Sequence, residues 1–156
     1  MKFKTYQSNG LQFKFPDFCH IAEDAFTPQG GDIELRSRLS TQSIGLLFVS
    51  LRCGDKAQSL AVLADHHRKR LLAQGIQVAD GYLIPAPAPD RFDEAALFWP
   101  KASKDGIAIE TPVTIYRKAN TFLSIALIGP LKQDQPQAWE ANQAAFEAIR
   151  DTLELA

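Results

Sequence analysis

Apolar and polar residues alternate over "LQFKF" (11–15), which predicts a half-buried strand with Leu11, Phe13 and Phe15 on its core face. The preceding "QSNG" is a turn signal, because Asn9-Gly10 tolerates positive φ, so "KFKTY" is expected to fold back as its hairpin partner. Pro16 should stop that ladder. After a loop containing "TPQGGD", alternation resumes in "DIELRSRL" (32–39), with Ile33, Leu35 and Leu39 inward and Glu34, Arg36 and Arg38 outward. "SIGLLFVSLR" (43–52) differs, because both of its faces are apolar. That is the mark of a central strand covered on two sides.

Two amphipathic helices are expected to supply the covers. In "SLAVLADHHRKRLLAQG", Leu60, Leu63, Ala64, His67 and Leu71 share one face, and Gly75 is a good residue just past the end. In "DQPQAWEANQAAFEAIRDTLELA", Asp134 with Gln137 reads as a capping box and Pro136 falls in the first turn. Trp139, Phe146, Ile149 and Leu153 form the stripe of this second helix. Further strands are predicted at "IQVADGYLI" (76–84), "EAALFWP" (94–100), "IAIETPVTIYR" (107–117) and "TFLSIALIG" (121–129), the last two joined tightly by "KAN". Pro112 removes a donor, so its strand should lie at an edge or carry a bulge. The order of elements predicts an α+β fold: one domain over 1–156, with a largely antiparallel sheet of six to eight strands. A mid-chain helix and a C-terminal helix pack against it as an α/β/α sandwich.

At 156 residues the chain can bury a sizeable single core. Its 17 basic and 18 acidic residues cancel to −1, which supplies no cationic field for nucleic acid. No apolar run is long enough to cross a membrane, and the start lacks a secretory h-region, so a cytoplasmic protein is expected. Cys19 and Cys53 form no CxxC pair; reduced core cysteines are the reading preferred over a disulfide.

Candidate chemistry is sparse. In "DHHRKR" the adjacent His66 and His67 diverge on a helix and cannot chelate one ion as an i, i+4 pair can. A zinc site would need Cys19, His20 or Cys53 to join His67, and no spacing supports one, so no metal and no cofactor is expected. His67 reads instead as a partly buried, hydrogen-bonded histidine, with Asp65, Arg68, Lys69 and Arg70 on the solvated face. A Cys53–His67 nucleophile lacks any visible activator. There is no GxSxG elbow, phosphate-cradling glycine loop or HExxH. "YLIPAPAPDRFDE" (82–94) is the most distinctive surface segment. Pro85, Pro87 and Pro89 cannot continue a strand and favour a stiff connector, or else a flap presenting Tyr82, Arg91 and Phe92 to a partner. Phe13, Phe15, Phe48, Phe98, Phe122 and Phe146 fit core positions, whereas Phe3, Phe18, Phe26 and Phe92 lie near loops or ends, where some could line a groove.

The pieces "YQSNGLQFKFP", "SLAVLADHHRKRLLAQG", "YRKANTFLSIAL" and "AWEANQAAFEAIRDTLEL", taken in order, resemble the superfamily of the photosystem II extrinsic protein PsbP and the Ran-binding import factor Mog. An N-terminal aromatic-rich strand ending in proline is shared; "PDFCHI" replaces the tryptophan that often follows that proline. The resemblance carries over no functional residue. It implies a partner of larger assemblies, and so a non-catalytic protein-binding or assembly module, adaptor or chaperone-like. Such a module would use an exposed sheet face and the flap, with another protein as partner. The alternative is a small-ligand pocket protein or enzyme of the cystatin-like type, with Asp65, His67 and Glu110 as polar groups in its pocket.

Overall fold

The computed structural model describes residues 1–37, 46–53, 60–79 and 81–156. Two of the predicted inward and outward positions, Leu39 and Arg38, therefore lie outside the described residues, as do 43–45 of the predicted central strand.

The chain opens as a hairpin of β1 (Phe3–Ser8) and β2 (Leu11–Pro16), turned by Asn9 and Gly10, both at positive φ. These strands do not join the main sheet. The short β13 (Glu154–Leu155) pairs with β2, making a separate three-stranded sheet. β3 (Cys19–Asp24), in a stretch without alternation, pairs with β4 (Gly30–Ser37). The glycines of "TPQGGD" thus begin a strand. At Gly31, φ is +138° and a Cβ would sit 2.1 Å from the Ala25 carbonyl oxygen, so only glycine fits there.

β4 pairs with β5 (Leu46–Cys53), and β5 pairs with β12 (Thr121–Pro130) along eight residues, Leu46↔Ile128 to Cys53↔Thr121. Beyond β12 the sheet continues as a meander: β10 (Ile107–Glu110) and β11 (Val113–Lys118), then β8 (Glu94–Phe98) and β9 (Ala102–Lys104), then β6 (Gln77–Val78) and β7 (Leu83–Ala86). Glu110↔Gly129 and Val113↔Ala126 belong to one register, so β10 and β11 are two halves of one path. β8 and β9 are likewise in one register against it. The ten segments of the sheet thus lie on seven paths, all antiparallel. Pro112 interrupts its path without a bulge. It lacks an N–H, but its carbonyl still accepts from the Leu127 amide at 3.1 Å, so one ladder bond is lost and the register holds.

α1 (Leu60–Ala73) and α2 (Pro136–Thr152) cover opposite faces. Leu47, Val49 and Leu51 of β5 share a core with Phe13, Phe15, Leu123, Ile125, Leu127, Phe146, Ile149 and Leu153. Phe48, between them in sequence, packs with Leu63, Ala64 and Leu71 of α1 and with Ile115, Phe122 and Ala126. The expected two-sided burial of this strand is present. α1 stops in a Schellman motif: Ile76 N–H donates to Leu71 O and Gly75 N–H to Leu72 O, with Gly75 at φ +77°. At α2 the cap is Gln135, not Asp134, and no side chain caps it. A residue before proline is held out of the helical region, so Pro136 at N1 fixes the boundary at 135 and leaves Asp134 one position too early.

Leu47 is fully buried at this layer's centre. Leu47→Ala is expected to lower unfolding free energy by about 2–5 kcal/mol, with an unchanged denaturant slope in a urea melt.

Candidate functional site

Of Tyr82, Arg91 and Phe92, the three side chains expected on display, only Tyr82 stands out in solvent, 84% exposed. Phe92 is buried and stacks on Tyr116, with ring centroids 4.3 Å apart and planes 7° from parallel. Arg91 lies over the Phe92 ring and donates to the carbonyls of Leu153 (2.7 Å), Arg150 (3.1 Å) and Asp151 (3.2 Å). Those are the orphan acceptors at the end of α2, where a cation is favoured by the helix dipole. Ala86 and Ala88 pack against the same core. The segment is therefore a strap tied to α2, and Arg91 and Phe92 are its fastenings, not displayed groups. Phe26 is buried as well, Phe18 packs partly on the core, and Phe3 is exposed, so these aromatic residues line no common groove.

The prolines take a different place from the one the sequence implied, because Pro85 continues a strand. The Leu127–Pro112 bond means that even-numbered residues of β11 aim their backbone groups at β12 and odd-numbered ones at β8. Across the next registers, Leu97 and Ala95 of β8 aim at β7, where Ile84 and Ala86 answer them. Leu83 and Pro85 then aim outward. The missing N–H of Pro85 costs no ladder bond, and it blunts the outer edge against another strand.

What remains open is a face. Ala95 and Ala86 belong to the core under α2, so by alternation Leu97, Trp99 and Ile84 face the same way, but beyond the reach of that helix. Ile84 and Leu97 are paired, and one step along Tyr82 comes beside Trp99. All four are exposed, Trp99 by 61%. Near this patch, Trp139 of α2 donates its indole N–H to Glu110 (2.8 Å), with Lys132 over its ring. Leu97 and Trp99 were missed in the sequence because "EAALFWP" is apolar on both faces. The signal that was present is the exposed-loop chemistry of Tyr82 on the neighbouring path.

The pocket triad does not assemble. Asp65 pairs in solvent with Lys69, Glu110 is held by Trp139 and Gln143 of α2, and His67 is buried in α1. Burial drives the His67 ring down to about 3, with Arg70 and His66 adding to the effect, so it is neutral. Its Nε2 has no partner among the described residues. An open recess of about 390 Å³ is lined by Gln77, Val78, Ala79, Lys101, Ala102 and Ser103, none of them in that triad. Cys19 is a free, fully buried thiol, pushed up to about 11 by burial. Among the described residues no three His, Cys, Asp or Glu side chains converge as a metal site would require, and no helix is long and apolar enough to cross a membrane.

A polar cluster ties α1 to the sheet. Asp32 of β4 accepts from Arg70 (2.9 Å) and Arg52 (3.1 Å), Arg70 also donates to Ser50, and Arg52 lies 3.0 Å from His66 Nε2. Burial pushes the Asp32 carboxyl up, but Arg70, Ser50 and Arg52 together hold it below its ordinary value.

No family model and no curated protein matches the sequence. Solved structures do. A cyanobacterial PsbP (CyanoP) from Synechocystis sp. PCC 6803 superposes with a TM-score of 0.66 over 99% of this chain and 92% of its own, at 10% identity. The Ran-binding protein Mog1p of Saccharomyces cerevisiae does so with a TM-score of 0.63 over 99% and 96%, at 12% identity. The fold is that of PsbP and Mog1. A point mutant of Mog1 gives the same score and coverage. At these identities the PsbP/Mog1 likeness extends to the architecture and stops there.

Arg91→Ala should destabilise the protein by about 1–3 kcal/mol, since it strips partners from helix-end carbonyls, read as a shift in the urea midpoint. Asp32 has a depressed carboxyl, so its contribution is complete above the unfolded value and is lost as pH falls through the folded one. Being over a third exposed, it is worth about 1 kcal/mol or less. Asp32→Asn is expected to lose that amount at pH 7 and to converge on the parent only in acid strong enough to protonate the depressed carboxyl, below its free value.

Proposed function

We propose that this protein is a non-catalytic protein-binding module, adaptor or chaperone-like in use, and that it meets its partner on the face formed by Tyr82, Ile84, Leu97 and Trp99. The observation that carries the proposal is the paired, solvent-facing row of two aromatic and two aliphatic side chains on β7, β8 and their extensions. Tyrosine and tryptophan are the residues most enriched among binding hot spots, and a contiguous exposed apolar patch marks an interaction surface. Mog1p, one of the proteins with this fold, is a Ran-binding protein, which supports a protein as the partner class.

The mode of contact follows from Pro85. An added strand would need a donor from each outward-aimed residue of β7, and Pro85 has none. The partner therefore packs side chains on the face. Pro85, Pro87 and Pro89 act by stiffening the strap that holds this edge, and Arg91 and Phe92 by anchoring it. A cytoplasmic setting is part of the proposal, in keeping with the free thiol of Cys19.

Affinity purification from the native host, followed by titration of the recovered partner, tests this. Tyr82→Ser with Trp99→Ser is expected to weaken binding by about 30-fold or more, the loss of one good hot spot. Folding stability should move by only about 0.5 kcal/mol, because both side chains are exposed. Equal affinity in the double variant would show the partner sitting elsewhere. Saturable binding of a small metabolite, with no protein recovered, would favour the pocket reading.

A further inference from the structure

The pair His66–His67 has no part in the proposed interface, yet its placement has a consequence. His67 sits on the buried stripe of α1 between Leu63, Ala64 and Leu71, 4% exposed, with Nε2 unpartnered among the described residues. The charges that act on it, Arg70 and His66, come from its own helix, and no carboxylate is among them. His66 Nε2 lies 3.0 Å from an Arg52 Nη2, a geometry that requires an unprotonated nitrogen accepting from the guanidinium. Protonating either ring removes an arrangement that only the neutral form can make.

The groups facing α1 from the elements packed on it do not relieve this. β4 presents Asp32, already shared by Arg52 and Arg70, and an ion pair of Glu34 with Arg36. β5 presents Arg52. β6 and β12 carry no ionisable side chain facing the helix. β11 offers Arg117, engaged by Asp93 and Glu94, while Lys118 alternates onto the α2 face and bonds the Leu155 carbonyl. On α1 itself Asp65 is paired with Lys69, alongside Arg68 and Arg70. Among the described residues, the carboxylate that reaches this cluster, Asp32, is already taken by Arg52 and Arg70.

We propose that α1 is an acid-released lid: protonation of His67, seconded by His66 against Arg52, frees the helix from the sheet while the α2 side stays folded. Release would bare Phe48, Ile115, Phe122 and Ala126, the second apolar face of the central layer. On the α2 side, among the described residues, no buried histidine interrupts the packing. Its clamp consists of Arg91 on main-chain carbonyls, Thr152 with the Lys14 backbone, and β13 on β2. The sign follows from linkage: a histidine buried as a neutral base favours the docked form above its free value of 6.5, and that preference is lost as pH falls from there toward 3. Between pH 7.5 and 5 the opening equilibrium of α1 should rise about 30-fold.

Hydrogen exchange on the full chain, expressed as protection factors, reads this directly. The expected result is a fall of about 30-fold for amides of 60–73 between pH 7.5 and 5, with 136–152 and 121–130 steady and 8-anilinonaphthalene-1-sulfonate fluorescence rising in parallel. In His67→Leu the α1 amides should keep most of their protection over that range, losing only the smaller share due to His66. Simultaneous loss in both helices, a fall of less than about threefold, or the same fall in His67→Leu would overturn the proposal. Should His67→Leu not fold, the ring titration decides. A His67 that protonates near 6.5 while the α1 amides remain protected would refute it, and one that protonates only as they open would support it.

Discussion

The pairing of β5 with β12 is the constraint from which the rest follows. From Phe122 to Pro130 every residue of β12 is buried, and Leu47 to Leu51 of β5 are buried with it. A strand buried on both faces has no side left for water, so each face needs its own cover and each edge a hydrogen-bonded neighbour. Burial of such side chains is worth roughly 1.5–3 kcal/mol apiece, against about 0–1 for an exposed ion pair. Packing therefore sets the architecture. The ion pairs around it adjust how firmly its parts are held.

The two covers are held by different chemistry. α2 lies down through Phe146, Ile149 and Leu153 and is then locked at its end by main-chain acceptors: Arg91 and Lys118 reach carbonyls, and the chain pairs into β2 as β13. Carbonyl acceptors do not titrate. α1 lies down through a stripe interrupted by a histidine, with its polar flank fixed by one carboxylate between two arginines. Both of those groups can change charge as the water turns acidic, the carboxylate only at the far end of the range. The fastenings differ accordingly: main-chain carbonyls at the end of α2, a histidine and a carboxylate under α1.

The sequence disclosed what short-range chemistry decides. Asn9-Gly10, the "KAN" turn, the two-faced central strand, the six core phenylalanines and the buried stripe of α1 all follow from periodicity and permitted φ. What it hid depends on which surfaces meet. Arg91 and Phe92 read as display residues because a proline-rich run looks detached, and only the arrival of the α2 end and Tyr116 turns them into anchors. Gly30-Gly31 read as loop because a close approach by Ala25 cannot be seen along one chain. The N-terminal hairpin was legible, whereas its exclusion from the main sheet was not, since that depends on β13 from the other end of the molecule. Of the candidate site, Tyr82 was legible. Ile84, Leu97 and Trp99 were not, because an apolar strand residue looks the same whether or not something covers it.

Cover runs out where it does because the sheet is wider than the elements that lie on it. Seven strand paths spaced about 4.8 Å apart make a layer roughly 29 Å across. On the α2 face that helix spans about 10 Å, and the β1–β2–β13 sheet spans about two strand spacings more. Close to a third of the layer is then left over, which is two strands' worth. The cover runs out over β7 and β8 beyond Ala86 and Ala95, since the small sheet packs toward the other side, with Ile33 and Leu35 of β4 in its core. An outer strand with one bare face is normally closed off by a further element or by polar substitution. Here Pro85 closes the edge while the face keeps tyrosine, isoleucine, leucine and tryptophan. Edge protection combined with an apolar face disfavours strand addition and leaves lateral packing of side chains as the contact open to this edge.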